Sequence, residues 1–226
     1  QDFAVFDKPS GVMVHPTRKT TEYCLLDEIR HHFGEQADLA HRIDAETSGL
    51  VLVAKNKHAS RILKTMFENR QYEKSYLALV KGHLQDNITI DAPISKSTGS
   101  INIKMTCDNE SGKASTTHIK PLKFNKQDDT TLVETIPITG RQHQIRVHLS
   151  YLGFPIVGDS VYGSRRKYAK GTSENLRKEI NNFKRQALHA SALTFTHPSS
   201  EKILTFESPL PKDMASLINT LQEDDS

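Results

Sequence analysis

The chain has 226 residues, enough for one large domain or two small ones, and its 30 Lys and Arg against 27 Asp and Glu leave a net charge of only +3, too small to name a partner. Cys24 and Cys107 stand far apart with no Cys or His at zinc-ligand spacing, which argues against a disulfide framework and for a reducing compartment. No apolar run approaches the length of a membrane span and no signal peptide opens the chain, so the expectation is a soluble, cytoplasmic protein.

The chain begins at Gln1 in strand-like material and reads as a fragment of a longer protein that lacks its N-terminal part. Residues 3–6, FAVF, predict a short buried strand ended by the turn DKPSG. Over 22–33, Leu25, Leu26, Ile29 and Phe33 recur at helical spacing and Gly34 follows as a C-cap. SGLVLVAKN is apolar without alternation, the mark of a strand central to a sheet. Asn56 should cap a helix over 57–69 that buries Ala59, Ile62, Leu63, Met66 and Phe67. YEKSYLALVKG is the next strand, and 85–118 is polar and broken, read as hairpins and loops. TLVETIPIT alternates as a strand with one buried face. After Gly140, RQHQIRVHLSYLG reads as a loop entering a helix with Ile145, Leu149 and Leu152 inward and Gly153 at its end. LTFTHP, ILTFESP and a helix over about 212–221 close the chain. Strands outnumber helices and do not alternate strictly with them, which favours an α+β fold with a mixed, largely antiparallel sheet and flanking helices, in one domain over 1–226.

Two constellations carry chemistry. The first is HRIDAETSGLVLVA, where His41, Arg42 and Asp44 precede the apolar strand; a loop feeding a buried strand is held rigidly, as a catalytic group requires. The alternative is that Asp44 caps a turn and pairs with Arg42. The second is GRQHQIRVH, where Arg141, His143, Gln144, Arg146 and His148 crowd a helix that must also bury Ile145 and Leu149. Some of these would form a solvated face, yet a helix start so rich in cations suits a carboxylate or phosphate. The run 164–186, with Arg165, Arg166, Lys167, Lys170, Arg177, Lys178, Lys184 and Arg185, is either a solvated face or a phosphate-binding strip. Ser48 lacks a hydrolase elbow, His143 and His148 are five apart without an intervening Glu, and no nucleotide-cradling glycine motif is present. The chain therefore reads as needing no cofactor and no metal.

Five motifs in order, DKPSGVMVHP, HRIDAETSGLVLVAKN, KSYLALVKG, GRQHQIRVHLSYLGFPIVGDSVYG and LHASALTFTHP, resemble those of RNA pseudouridine synthases of the RluA type, from about residue 3 to residue 208. Ile43 stands where Leu is usual, Gln142 where Thr or Ser is common, and the small N-terminal RNA-binding domain of many relatives is not in this chain. The resemblance implies a mixed antiparallel sheet around a central cleft and the isomerisation of uridine in structured RNA, ribosomal RNA first and transfer RNA second, by a monomer that uses no membrane. It further implies Asp44 as the catalytic aspartate, Tyr76 as the ring packed on the flipped base, and Arg146 as the cation that pairs with the aspartate. Arg42 would help displace the target uridine and Ile145 would line the pocket. His41 and Arg141, the polar neighbours in the two constellations, complete the expected substrate-binding set.

Overall fold

A computed structural model describes residues 2–16, 23–97, 104–126, 129–163, 174–198 and 200–223. In chain order its elements are β1 (Phe3–Lys8), α1 (Leu25–Phe33), β2 (Asp38–Leu39), β3 (Ser48–Ala54), α2 (Lys57–Glu68), β4 (Tyr72–Lys81), β5 (Ile88–Asp91), β6 (Ile94–Lys96), β7 (Met105–Cys107), β8 (Thr116–Asn125), β9 (Thr130–Pro137), α3 (Gln144–Tyr151), α4 (Glu174–Asn182), β10 (Leu188–Thr196), β11 (Ile203–Glu207) and α5 (Lys212–Glu223). The fold is α+β with a mixed, mostly antiparallel sheet. Two compact units divide the chain: Gln1–Lys74 with His189–Pro209, and Ser75–Leu188 with Leu210–Ser226.

In the first unit β3 is the centre. Antiparallel β1 pairs with it from Phe3↔Ala54 to Lys8↔Gly49, while β2 meets its far end and β10 runs parallel to its start. Every residue of β3 is buried, which is why its sequence is apolar on both faces instead of alternating. Leu50, Leu52 and Ala54 pack with Ala59, Leu63 and Met66 of α2 and with Leu193 and Phe195 of β10. Burying each such Leu or Phe removes surface worth about 1.5–3 kcal/mol. Asn56 accepts the Ala59 N–H at 2.9 Å and caps α2 as expected. Ile62 and Phe67 are only half-buried, since the apolar stripe is wider than the surface it covers.

Gly49 marks the tightest approach. Its φ is +107°, and a Cβ there would lie 2.2 Å from the Ala190 carbonyl oxygen. Beside it Ser48 donates to His189 Nδ1 (3.0 Å) and His189 Nε2 donates to the Ser208 carbonyl (3.1 Å), a buried tie between β3 and β10.

The second unit holds the antiparallel sheet β4-β9-β8-β5 and the β6–β7 hairpin. Thr131, Val133, Thr135 and Pro137 of β9 are buried and their alternates half-exposed, the one-faced strand expected from TLVETIPIT. Strand β8 was not anticipated. Pro121 and a register shift between Pro121 and Lys123 interrupt it, and His118, Lys120 and Lys123 point to solvent. Helix α4 was not anticipated either. Buried Arg185 bonds Asp213 at the start of α5 through Nε (2.6 Å) and Nη2 (2.9 Å). Both cysteines are free thiols. Among the described residues no helix is long and apolar enough to cross a membrane.

Candidate active site

Asp44 lies on the turn that leads into β3, its own carbonyl accepting the Thr47 N–H at 3.0 Å. The turn is tied from outside. The Ala45 carbonyl accepts the Gly11 N–H (2.9 Å) and the Lys8 ammonium (2.7 Å). Lys8 is only 1% exposed, and its other bonds go to the carbonyls of Pro9 (2.8 Å) and Val12 (3.0 Å). A buried ammonium surrounded by three carbonyls thus fixes the DKPSG loop and the Asp44 turn as one piece. Asp44 itself is half-buried and Arg42 exposed. Between them Ile43 is buried and anchors the segment.

His41 holds the near end of the same segment. Its Nε2 accepts the Leu52 N–H at 3.1 Å, continuing along β3 the pairing that β2 began. Its ring stacks on Phe67 with centroids 5.1 Å apart. Burial, and next the charge of Lys74, push its acidity well beyond that of an ordinary imidazolium, so the ring is neutral. Lys74 is also buried. Its ammonium lies over the rings of Tyr72 (5.1 Å) and Phe67 (5.7 Å), and burial pulls it down to about 8.

In the second unit Tyr76 is buried on β4 opposite Thr135 of β9. Helix α3 carries the other candidates. Gln144, Ile145, Arg146, Val147, His148 and Leu149 are all buried. The expectation that part of this polar set forms a solvated face therefore fails for Gln144, Arg146 and His148, because each meets a partner. Gln144 Oε1 accepts from Thr139 Oγ1 (2.7 Å) and the Arg141 N–H (3.0 Å), while its Nε2 donates to the Thr116 carbonyl and Thr117 Oγ1, both at 2.9 Å. One turn on, His148 Nδ1 accepts from Thr117 Oγ1 (2.9 Å) and Nε2 donates to the Ala92 carbonyl (3.0 Å). Burial lowers the pKa of His148 and keeps the ring neutral. These bonds fasten one side of α3 to β8, and Val147 packs with Ile94 and Tyr162.

Arg146 departs from this tethered side. Its Nε and Nη2 donate to Asp159 Oδ2 (2.7 Å) and Oδ1 (3.0 Å). Burial works against the Asp159 anion, but Arg146 and the N–H groups of Tyr162 and Val161 outweigh it and hold the carboxyl below its usual range. Arg141 is exposed and its Nε donates to the Ala114 carbonyl at 3.1 Å. The structure thus groups His41, Arg42 and Asp44 in one unit and Tyr76, Arg141, Ile145 and Arg146 in the other. Of the basic run, Arg165, Arg166, Lys167 and Lys170 lie outside the described residues; Arg177 and Lys178 are exposed on α4, with Lys178 3.3 Å from Glu174.

Residues 2–151 match the family described as RNA pseudouridylate synthase. The chain belongs to this family. It is 37% identical over 225 residues, 97% of its own length and 69% of the relative's, to the ribosomal large subunit pseudouridine synthase D of Pseudomonas aeruginosa. It is 39% identical over 217 residues, 94% of its length and 70% of the relative's, to an uncharacterized RNA pseudouridine synthase of Helicobacter pylori. Among solved structures, human RNA pseudouridylate synthase domain containing 4 superposes with a TM-score of 0.77 at 25% identity, over 98% of this chain and 90% of that one. The chain is thus an RNA pseudouridine synthase, and the α+β fold read from its strands is the fold of that family. Sequence reasoning passed over Lys8, Asp159 and Tyr162. Their signals were the Lys-Pro-x-Gly turn and GDSVYG, each part of one of the five family motifs.

Proposed function

We propose that residues 1–226 serve as one catalytic domain, monomeric and cytoplasmic, that converts uridines of large-subunit ribosomal RNA to pseudouridine with Asp44 as the essential carboxylate. The observation that carries the assignment is the Asp44 turn, a carboxylate beside an exposed arginine on a loop immobilised by Lys8. The RNA class is supported by relatives from Pseudomonas, Xanthomonas and Vibrio that are named for the ribosomal large subunit.

The reaction breaks the bond from uracil N1 to the ribose, turns the ring, and forms the bond from C5; N1 gains a proton and C5 loses one. An ionised carboxylate can act as the nucleophile or stabilise the charge that develops as the bond breaks. A stacked base must first leave the helix, at a cost of a few kcal/mol. Arg42 filling the gap and the Tyr76 ring against the uracil, worth about 1–3 kcal/mol as stacking, offset that cost. Arg146 supplies the cation that serves the carboxylate, Ile145 an apolar wall and Arg141 a backbone contact, while His41 acts through the place it gives Arg42.

RNA labelled with tritium at uridine C5 tests this. Wild-type protein should release label from ribosomal RNA of cells lacking the gene, and Asp44→Asn should bind that RNA and release none. Release by Asp44→Asn at the wild-type rate removes Asp44 from the chemistry. Release from transfer RNA alone would reassign the substrate.

A further inference from the structure

The Arg146 guanidinium is gripped on more sides than charge neutralisation requires. Asp159 takes its Nε–Nη2 edge through two bonds of 2.7 and 3.0 Å. That carboxylate cannot turn, because Oδ1 also accepts the N–H groups of Val161 and Tyr162, both at 2.9 Å. The same turn brings the ring of Tyr162 against the guanidinium, 5.0 Å from its carbon to the ring centroid.

The ring is pinned in its turn. The Tyr162 hydroxyl accepts the Met105 N–H at 2.9 Å and lies 2.8 Å from His143 Nδ1. The backbone N–H and the imidazole thus hold the hydroxyl from two sides. His143 is the residue before α3 and has left-handed backbone (φ 55°, ψ 19°), unusual outside glycine and retained where surroundings over-determine it. A closed circuit results, from α3 through Arg146, Asp159, Tyr162 and His143 back to the start of α3.

A buried ion pair adds little stability over apolar residues of the same volume, so stability alone does not account for this circuit. Orientation does. A guanidinium carries five N–H groups in a rigid planar fork, and fixing one edge and one face fixes the direction of the opposite edge. We propose that Asp159 and Tyr162 are positioning residues for Arg146, Asp159 by gripping its Nε–Nη2 edge and Tyr162 by supporting its face. This rests on the reading of Arg146 as the cation of the reaction.

The test measures tritium release in single turnover at saturating RNA, together with RNA affinity by filter binding. The RNA is ribosomal RNA labelled at uridine C5, from cells lacking the gene. Asp159→Asn and Tyr162→Leu should each slow release on the order of 10²-fold, the effect of a displacement of about 1 Å in a catalytic group, with RNA affinity unchanged. Tyr162→Phe keeps the ring and should lose less than Tyr162→Leu. Arg146→Lys keeps the charge without the fork, and adding Asp159→Asn to it should slow release no further, as both act through one group. Wild-type rates in Asp159→Asn and Tyr162→Leu, with Arg146→Lys impaired, would overturn this proposal alone; wild-type release by Arg146→Ala would overturn it and the role of Arg146 together. Should Asp159→Asn fail to fold by circular dichroism, Tyr162→Leu decides, since it leaves the ion pair intact.

Discussion

Two buried lysines, Lys8 and Lys74, look alike in a burial profile and differ in what surrounds the charge. Lys8 has three carbonyl oxygens within 3.0 Å. Among the described residues, the ammonium of Lys74 meets the faces of Tyr72 and Phe67 and no carboxylate. Cation–π contacts contribute about 0.5–2 kcal/mol, less than the penalty that pulls Lys74 down to about 8. Replacing Lys74 by Met should therefore raise unfolding free energy at pH 7 by on the order of 1–3 kcal/mol. The same replacement of Lys8 leaves three carbonyls without their donor, at about 1–3 kcal/mol for each that stays dry, and loosens the turn that carries Asp44. It should lower both stability and tritium release. Urea midpoints that shift in the same direction for the two variants would show that partner chemistry does not set the sign.

At the scale of elements, β3 and β10 depend on one glycine. Gly49→Ala would place a methyl 2.2 Å from the Ala190 carbonyl in a backbone region that side chains avoid. Neither atom is at the end of a flexible chain, so the strands must separate and strain the Ser48–His189 bond. A loss of at least 2 kcal/mol, roughly, is expected in thermal or urea unfolding, from strain and overpacking together; a variant as stable as wild type would mean the strands part without cost. The elements that the sequence revealed are those whose burial follows from local period: β3 from its unbroken apolar run, β9 from alternation, α1 and α2 from helical spacing and their end residues. Strand β8 stayed hidden because Pro121 breaks its pattern and its outward positions carry Lys and His. The polar residues of α3 misled for a related reason. The Gln144 amide N–H groups and the His148 ring are satisfied by Thr116, Thr117 and Ala92, 27 to 56 positions away, and no short window along the chain contains both halves of those bonds. Asp44, Tyr76 and Arg146 stood out by resemblance of motifs, whereas the HRID stretch taken alone favoured a turn cap over a catalytic carboxylate.

For the whole molecule, acid should act in two stages. His41 and His148 are each held neutral by burial, with pKa values below that of the unfolded chain, near 6.5. Above 6.5 neither state binds the proton and their neutral forms cost nothing. As pH falls below it the unfolded chain takes up protons that the folded one refuses, so stability declines toward the folded pKa values. Each tenfold difference in acidity is worth about 1.4 kcal/mol. Asp159 and Asp213 have the same sign at lower pH. Their carboxyls, bonded to Arg146 and Arg185, lie below the ordinary 3.8, so the stability they add is present above 3.8 and is lost as the pH falls beneath it. Unfolding free energy by urea should thus fall between pH 7.5 and 5.5 by on the order of 1 kcal/mol or more and fall again between pH 4 and 3. His148→Gln, which can keep one of the two bonds to Thr117 and Ala92 but cannot ionise, should flatten the first step and leave the second. An equal slope in wild type and His148→Gln between pH 7.5 and 5.5 would remove His148 from the acid response and leave the first stage to His41 and its stack on Phe67.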